Sequence, residues 1–320
     1  MQHEPLRVLK CYAGGQPYCI DVEHVLAIER SGRFTANPEP TGPAGWIVRR
    51  DKRVPVYELT ERLGASPRRE TPGAILVLDG AEPWAVGVDR VARFKSAPGK
   101  PQAVPPSMTD ANVACYRGVI IDEGSVVLYL APDRLHPSAA RFAHATPAIA
   151  PPAAPAVQKS FPRRPGRILV FYPWNVSRVV GMGRTKFGLS YTQILEIVAG
   201  AEATPAPAAA HHVLGLIPWR GRAVPVIDIG ALLGFEPIGH LGTGRLVILH
   251  SPRWQAPVAV PLGSGVHTHA LPLVHRPCRK PLPLNPRYSR GAFELASGEI
   301  LVLPDIDAAA SPPALNAFAD

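Results

Sequence analysis

Short apolar segments separated by turn residues run along almost the whole chain. Residues 6–12 alternate loosely between apolar and polar positions, which predicts a strand, and Gly14 and Gly15 then predict a hairpin turn. Residues 74–78 (AILVL) form an uninterrupted apolar run of the length expected for a buried strand. Many such short segments, bounded by turn signals, predict an all-β protein.

The pattern also repeats. Residues 45–64 (GWIVRRDKRVPVYELTERLG) recur at 215–234 (GLIPWRGRAVPVIDIGALLG), with eight of the twenty positions identical at an offset of 170. Residues 18–28 match 187–197 at an offset of 169. Each copy of the longer repeat predicts a strand, a basic turn, a second strand and one helical turn that ends at glycine. The chain is therefore expected to contain two related all-β domains.

The regions between the copies set the expected boundaries. Residues 138–165 are rich in Ala and Pro, a composition that buries little and predicts a semi-rigid spacer between two separately folding halves. Residues 167–172 (RILVFY) have no counterpart in the first copy at an offset of 169, which predicts an extra strand covering a sheet edge. We therefore expect domain 1 at 1–137, the linker at 138–165, domain 2 at 166–308 and a frayed tail at 309–320.

Composition narrows the class of protein. Proline accounts for 38 of the 320 residues, about 12% against a usual level of roughly 5%, which argues against long helices. The hydrophobic content of 46% is enough for sizeable cores and argues against disorder throughout. The net charge of +9 is compatible with an acidic protein, a lipid surface or nucleic acid.

Cysteine usage and apolar run length predict where the protein works. The four cysteines show no Cys-x-x-Cys spacing, so we expect reduced thiols, mostly buried: Cys11, Cys19, Cys115 and Cys278. The amino terminus lacks an apolar segment of signal-peptide length, and no uninterrupted apolar run approaches the roughly 20 residues that cross a bilayer. These features predict a soluble cytoplasmic protein without membrane insertion.

The chain shows little catalytic chemistry. It contains no Gly-x-Ser-x-Gly, no P-loop, no dinucleotide-binding glycine motif and no His-Glu-x-x-His, so we expect neither an enzyme nor a bound cofactor. One cluster resembles a set of metal ligands: His267, His269, His275 and Cys278. His267 and His269 would share one face of a strand, as a transition-metal site requires. The alternative, a polar loop with solvated histidines, suits the loose spacing better.

Basic residues gather at the turn of each repeat. The candidate partner-binding residues are Arg50, Lys52, Arg53, Trp219, Arg220 and Arg222. Arg50 and Arg220 recur at equivalent positions, and two interpretations remain open for them. Each arginine could cap its own turn, or, as the resemblance of this repeat to a known family implies, its planar guanidinium could clamp an acidic group of a partner. A nucleic-acid surface would normally interleave aromatic residues with the charges, and these basic runs contain almost none.

The repeat resembles the CheW-like adaptor domain of bacterial chemotaxis. That family's mid-domain signature is Gly-x-x-x-x-Arg-Gly-x-x-x-Pro-Val-hydrophobic-Asp-Leu. The second copy matches it at Gly215, Arg220, Gly221, Pro225, Val226 and Asp228, with Ile229 for the leucine. The first copy matches at Gly45, Arg50, Pro55, Val56, Glu58 and Leu59, with Asp51 in place of the second glycine.

The resemblance implies a fold and a function. Each domain is expected to consist of two small five-stranded SH3-like barrels that share an apolar core. The implied function is a non-catalytic scaffold that links chemoreceptor cytoplasmic tips to the regulatory domain of a CheA-type histidine kinase, and that packs with other CheW-like domains. A basic all-β module that binds nucleic acid or an anionic surface remains the alternative. Salt dependence separates the two, because phosphate binding weakens steeply with salt.

Overall fold

The computed structural model of the chain describes residues 6–39, 41–65, 70–94, 99–105, 108, 114–138, 166–173, 185–207, 209–238, 241, 244–251, 256–271, 273–278, 282 and 284–310. These residues form 22 strands and four short α-helices. The predicted all-β fold is therefore confirmed. No helix in the described ranges is long and apolar enough to cross a membrane. The predicted linker lies outside the described residues, apart from Ser138.

Domain 1 contains eleven strands among its described residues. They are β1 (Val8–Ala13), β2 (Gln16–Asp21), β3 (Val25–Arg30), β4 (Thr35–Ala36), β5 (Gly45–Arg49), β6 (Lys52–Glu58), β7 (Ala74–Leu78), β8 (Trp84–Val88), β9 (Arg90–Ala92), β10 (Tyr116–Asp122) and β11 (Ser125–Leu130). Helix α1 (Leu59–Arg62) follows β6, and helix α2 (Pro132–Leu135) follows β11. Arg62 joins the two helices, because its guanidinium donates hydrogen bonds to the carbonyl oxygens of Leu135 and His136 at 2.9 and 2.8 Å.

Domain 2 repeats this order. Its strands in the described ranges are β12 (Gly166–Phe171), β13 (Thr185–Ser190), β14 (Ile194–Ala201), β15 (Val213–Trp219), β16 (Arg222–Ile227), β17 (Gly244–Ser251), β18 (Ala256–Leu262), β19 (His267–Leu271), β20 (His275–Pro277), β21 (Ser289–Leu295) and β22 (Ile300–Pro304). Helices α3 (Ile229–Leu233) and α4 (Ile306–Ala309) take the places of α1 and α2. Ala310 is buried directly after α4, so the packed part of domain 2 extends two residues beyond the expected boundary.

Each domain contains two sheets, which we call terminal and middle. The terminal sheet joins strands from both ends of the domain, in the order β10-β11-β2-β1-β9 in domain 1 and β19-β12-β13-β22-β21-β20 in domain 2. The middle sheets have the orders β3-β7-β8-β6-β5-β4 and β14-β17-β18-β16-β15. Each predicted barrel thus corresponds to one sheet, of five or six strands.

The predicted strand at residues 167–172 is present over 167–171, but the prediction that it is an extra strand without a counterpart is wrong. Residues 167–171 lie in β12, which pairs antiparallel with β13 as β1 pairs with β2, so β12 is the counterpart of β1. The offset of 169 fails here because Gly14 and Gly15 alone separate β1 from β2, whereas residues 172–184 separate β12 from β13. A longer connection therefore shifted the match without changing the topology.

The two sheets of each domain share one apolar core, as expected. In domain 1, Tyr18 and Leu128 of the terminal sheet are buried in one cluster with Leu76 and Trp84 of the middle sheet. In domain 2, Phe187 and Val302 are likewise buried with Val247 and Val260. Because both sheets pack on one core, the position of the middle sheet relative to the terminal sheet is fixed in each domain.

Candidate functional site: two hairpins and two edge strands

Strands β5 and β6, and their counterparts β15 and β16, form matching hairpins that carry the predicted partner-binding residues. Both hairpins turn through two residues with positive φ, Arg50 (47°) and Asp51 (59°) in one, Arg220 (47°) and Gly221 (73°) in the other. Positive φ at both central residues is the geometry of a type I′ turn, which suits the twist of a two-stranded ribbon. Asp51 thus adopts the backbone conformation of its glycine counterpart, at a cost that glycine avoids.

The predicted residues of the domain 1 hairpin point into solvent. The side chains of Arg50, Lys52 and Arg53 are exposed, and the Arg53 guanidinium carbon lies 4.0 Å from the centre of the Trp46 ring. Val48, which pairs with Arg53 across the hairpin, is 63% exposed. We call the outward side chains of Trp46, Val48 and Arg53 the free hairpin face. A stacked guanidinium beside exposed apolar surface is typical of contact anchors.

The domain 2 hairpin has contacts within its own domain. Glu196 of β14 accepts hydrogen bonds from the indole nitrogen of Trp219 at 2.9 Å and from Arg220 at 3.0 Å. The Arg220 guanidinium also lies 4.7 Å from the Trp219 ring centre. Arg222 is exposed. Arg220 therefore has an acidic partner within domain 2.

Domain 2 also uses this hairpin to dock on domain 1. The side-chain amide of Gln102 donates a hydrogen bond to the Gly221 carbonyl oxygen at 2.6 Å and accepts one from the Ala223 backbone nitrogen at 3.1 Å. Ala223 has this donor available because Trp219 and Arg222 close the two-residue turn, so the next pair points its backbone groups away from the hairpin. One side chain of domain 1 thus binds two backbone groups of the hairpin.

Local backbone structure positions Gln102. Its own backbone nitrogen and oxygen pair with Val119 of β10 at 2.8 and 2.9 Å, which fixes the segment against the sheet edge. Gly118 makes this approach feasible, since a Cβ atom there would lie only 2.4 Å from the Gln102 oxygen. The side chain is therefore held at the edge of the terminal sheet, facing domain 2.

An apolar contact surrounds these hydrogen bonds. Leu216 and Val213 of β15 are buried in the same cluster as Val119 and Val126 of domain 1. The Tyr116 hydroxyl donates a hydrogen bond to the Pro207 carbonyl oxygen at 2.6 Å. We call the side chains of Gln102, Tyr116, Val119, Ile121 and Val126 the accepting face of domain 1. The two domains are thus joined by a continuous buried contact.

Each domain exposes an apolar stripe at the same place. Stripe 1 consists of Val22, Leu26 and Ile28, and stripe 2 of Tyr191, Leu195 and Ile197, so the members match pairwise at an offset of 169. Six of the eight large hydrophobic residues that are exposed in the described ranges belong to these stripes. Strands β3 and β14, which carry most of each stripe, lie at the edges of the middle sheets. Exposed apolar surface on an edge strand marks an interaction site.

The predicted histidine cluster does not gather into a metal site in the described residues. His267 and His269 share a face of β19, with their Nε2 atoms 2.9 Å apart, and the Nδ1 atom of His267 lies at hydrogen-bond distance from the Gly265 carbonyl oxygen. Burial and the neighbouring His267 lower the pKa of His269. His275 lies on the separate strand β20. No third ligand atom of the kind a metal needs joins the pair within the described ranges.

A different group of potential ligands lies in domain 1. Asp21, Glu23 and His24 are the one set in the described residues whose ligand atoms lie within 4.8 Å of one another. Both carboxylate oxygens of Asp21 already accept hydrogen bonds, one from the Tyr129 hydroxyl at 2.5 Å and one from Arg117. Burial, followed by the hydrogen bond to Asp21, raises the pKa of Tyr129 to about 12. Asp21 is accordingly held by an ion pair with Arg117 and a hydrogen bond from Tyr129.

Sequence reasoning identified the hairpins but missed the accepting face and the stripes. A signal for the stripes was present, because the match of residues 18–28 to 187–197 pairs apolar residues with apolar residues. Gln102 gave no signal, since its role depends on a contact between domains that no local pattern encodes.

Comparison with protein families agrees with two related domains on one chain. The family model described as CheW-like domain matches the chain twice, at residues 7–140 and 178–312. A search of curated proteins found no match. Among solved structures, the scaffolding protein TtCheW from Thermoanaerobacter tengcongensis is similar, with 19% identity over 44% of this chain and 90% of that one, and a TM-score of 0.34. Since the family model covers most of the chain, this protein belongs to the CheW-like family, with two tandem copies of the domain.

Proposed function

We propose that this protein is a non-catalytic adaptor that links the cytoplasmic tips of chemoreceptors to the regulatory domain of a CheA-type histidine kinase. The pair of apolar stripes supports this function. A monomeric protein gains nothing from exposing Leu26 and Ile28, or Leu195 and Ile197, on an edge strand, and such strands invite association. Two matched docking strands on one chain are what a bridging protein needs.

The stripes differ in their surroundings, which favours different partners. Exposed charges of both signs, Glu23 and Arg30, flank stripe 1. Thr192 and Ala199 occupy the matching positions beside stripe 2, and the Tyr191 hydroxyl lies 3.0 Å from that of Thr268. Charged rims contribute mainly to specificity and association rate. We propose that stripe 1 binds a partner with complementary charges and that stripe 2 binds a more apolar partner.

The hairpin residues have a secondary role in this proposal. Arg50, Lys52 and Arg53 are available on domain 1 for an acidic group of a partner. On domain 2, Arg222 is exposed, whereas Trp219 and Arg220 are held by Glu196. Basic contacts from domain 1 are therefore expected to be stronger than those from domain 2.

Capture of partners tests the proposal. The full chain would be used to pull down the kinases and chemoreceptor cytoplasmic fragments of its own organism, beside the variants L26E/I28E and L195E/I197E. Val274→Glu is a matched control, because Val274 is 81% exposed and lies outside both stripes. We expect each stripe variant to lose one partner and keep the other, and the control to keep both. Exposed positions should tolerate the changes without unfolding.

Three results would contradict the proposal. If neither stripe variant loses a partner, the stripes are not the docking strands. If both lose the same partner equally, the copies duplicate one another and provide avidity instead of a bridge. If no kinase or receptor is captured but nucleic acid or anionic vesicles are, with a steep salt dependence, the anionic-surface function is the correct one.

A further inference from the structure

The contact between the domains is heterologous, because a hairpin on one copy meets a sheet edge on the other. Such contacts use two different patches, so each copy retains one patch that the contact inside the chain leaves unused. Domain 1 retains its hairpin, and domain 2 retains the face that corresponds to the accepting face. Whether a further domain can dock at either end of the protein depends on these two unused patches.

The unused patch of domain 2 has lost the features that accept a hairpin. The register of β20 on β21 pairs Pro277 with Phe293, which places the next residue, Cys278, opposite Ala292. Gln102 pairs with Val119 at the equivalent place on β10, so Cys278 takes the position of Gln102. Ser289 replaces Tyr116 at the start of the equivalent strand. Neither residue can replace the hydrogen bonds that Gln102 and Tyr116 make. Cysteine is a weak donor, and the serine side chain is too short to reach the same acceptor.

The apolar part of this patch has changed as well. Ala292 stands in place of Val119, and Glu294 in place of Ile121. Glu294 binds Arg276 at 2.6 Å. This ion pair therefore lies on the surface that would lose its bound water if a hairpin docked there. Desolvating such a pair offsets the gain from apolar contact. The domain 2 patch is therefore a poor acceptor.

The unused patch of domain 1 has kept the two-residue turn, the backbone donor and an apolar side chain. Trp46 takes the place of Leu216, which is fully buried on domain 1, and Arg53 takes the place of Ala223. The hairpin has the same two-residue turn, so the Arg53 backbone nitrogen points away from β5 as the Ala223 nitrogen points away from β15. With Val48 63% exposed beside them, this patch presents apolar surface and a free backbone donor. It is suited to the kind of contact that domain 2 makes inside the chain.

We infer that the chain joins a head-to-tail row of CheW-like domains at one end only, through the free hairpin face of domain 1, while domain 2 ends the row. The occupant of the free hairpin face is the accepting face of a CheW-like domain on a different protein, with a glutamine-like and a tyrosine-like anchor. A second copy of this chain does not fit, because its own accepting face is covered and its domain 2 patch is altered. The inference rests on the proposed function and deepens it, since it says which end of the chain can pack with another CheW-like domain and which end cannot.

Restoring the altered patch tests the inference without receptor or kinase, so its failure is distinct from failure of the proposed function. The full chain and the variant C278Q/S289Y/E294I would be compared by sedimentation equilibrium over a range of concentrations. We expect the wild type to stay monomeric over this range. The restored variant should self-associate with a dissociation constant about tenfold or more below that of the wild type, because it regains hydrogen bonds. Adding W46E/V48E should abolish the gained association, whereas adding V274E should not.

Two outcomes would overturn the inference. Self-association of the wild type that W46E/V48E removes would mean that the domain 2 patch accepts a hairpin after all. A restored variant that keeps its cooperative melting transition and remains monomeric would mean that the free hairpin face does not dock. The double variant C278Q/S289Y, which leaves the Arg276–Glu294 pair intact, replaces the triple variant if the latter loses that transition.

Discussion

The two hairpins have the same backbone conformation but differ in what covers them. Domain 1 covers the hairpin of domain 2, whereas no other domain covers the hairpin of domain 1 in the part of the chain that the structure describes. Residues 45–56 and 215–226 share their register, their turn and the close approach at the first glycine, where a Cβ atom would meet Thr35 in one copy and Thr204 in the other. Yet Leu216 is fully buried against domain 1, while Trp46 at the equivalent position is only half buried. The backbone pattern of a repeat thus predicts its fold, and a few side chains decide which copy is covered.

Charge placed at these equivalent positions should have the largest and most unequal effects. We expect Leu216→Glu to lower the free energy of unfolding by about 4 kcal/mol, because it buries a carboxylate in an apolar contact without a partner. Trp46→Glu should cost about 1 kcal/mol, since it loses a stacking contact with Arg53 but leaves the new carboxylate in water. Urea unfolding of both variants measures the difference.

Equal losses at the two positions would contradict the comparison. A large loss for Trp46→Glu would mean that the free hairpin face is part of a core. A small loss for Leu216→Glu would mean that the two domains do not pack on each other in solution.

Removing the hydrogen bonds of the accepting face should have the next largest effect. Tyr116→Phe leaves the Pro207 carbonyl oxygen without its partner, and Gln102→Ala removes two bonds to the hairpin, so we expect each to cost about 1–2 kcal/mol. Cys278→Ala is the matched control for Gln102→Ala. It should cost less, because Cys278 makes no equivalent contact with a hairpin.

Proteolysis would show whether this contact holds without the linker. Cleavage is expected first within residues 138–165, because the segment is rich in Ala and Pro and buries little. We expect the two wild-type fragments to elute together in gel filtration, since they share a buried contact, and the fragments of Q102A/Y116F to separate. Wild-type fragments that separate at once would mean that the spacer alone joins the domains.

The terminal sheets provide a smaller contrast that depends on pH. Domain 1 buries the pair Lys10 and Asp122, whereas domain 2 has Lys186 and Glu299, whose charged groups lie 2.8 Å apart. The hydrogen bond from Lys186, followed by that from Tyr172, lowers the pKa of Glu299 to about 2. A carboxyl group whose pKa is lowered by folding adds stability above its unfolded value, and this stability is lost as the pH falls towards the folded value.

Thermal melting across pH tests this contribution. The difference in melting temperature between wild type and Glu299→Gln should be constant at neutral pH and shrink as the pH falls from about 4.5 to about 2. Glu82→Gln, at an exposed position, is the control and should show no such trend. A difference that stayed constant down to pH 2 would mean that Glu299 contributes no charge-dependent stability.

The sequence contained enough to predict the fold, because apolar alternation and turn residues determine strands locally and the repeat doubled every signal. It also located the hairpins and their basic residues. It misplaced β12, since an offset cannot follow a connection that lengthens from two residues to thirteen. It could not reveal the accepting face, because Gln102 contacts Gly221 and Ala223 across more than a hundred residues of chain. Local patterns do not encode contacts between domains.

The smallest expected effect lies in the hairpin turn itself. Asp51 has φ of 59° where Gly221 has 73°, so both turns use a left-handed residue that glycine adopts without strain. We expect Asp51→Gly to raise the free energy of unfolding by about 0.5 kcal/mol, and Gly221→Asp to lower it by a similar amount. Urea unfolding of both variants measures these changes.

Because Gln102 binds the carbonyl oxygen of Gly221 and not its side-chain position, Gly221→Asp should leave the contact between the domains intact. If that variant instead released the cleaved fragments from each other, the turn would be part of the contact through its conformational freedom, and the first copy, with aspartate there, could not dock in the same way.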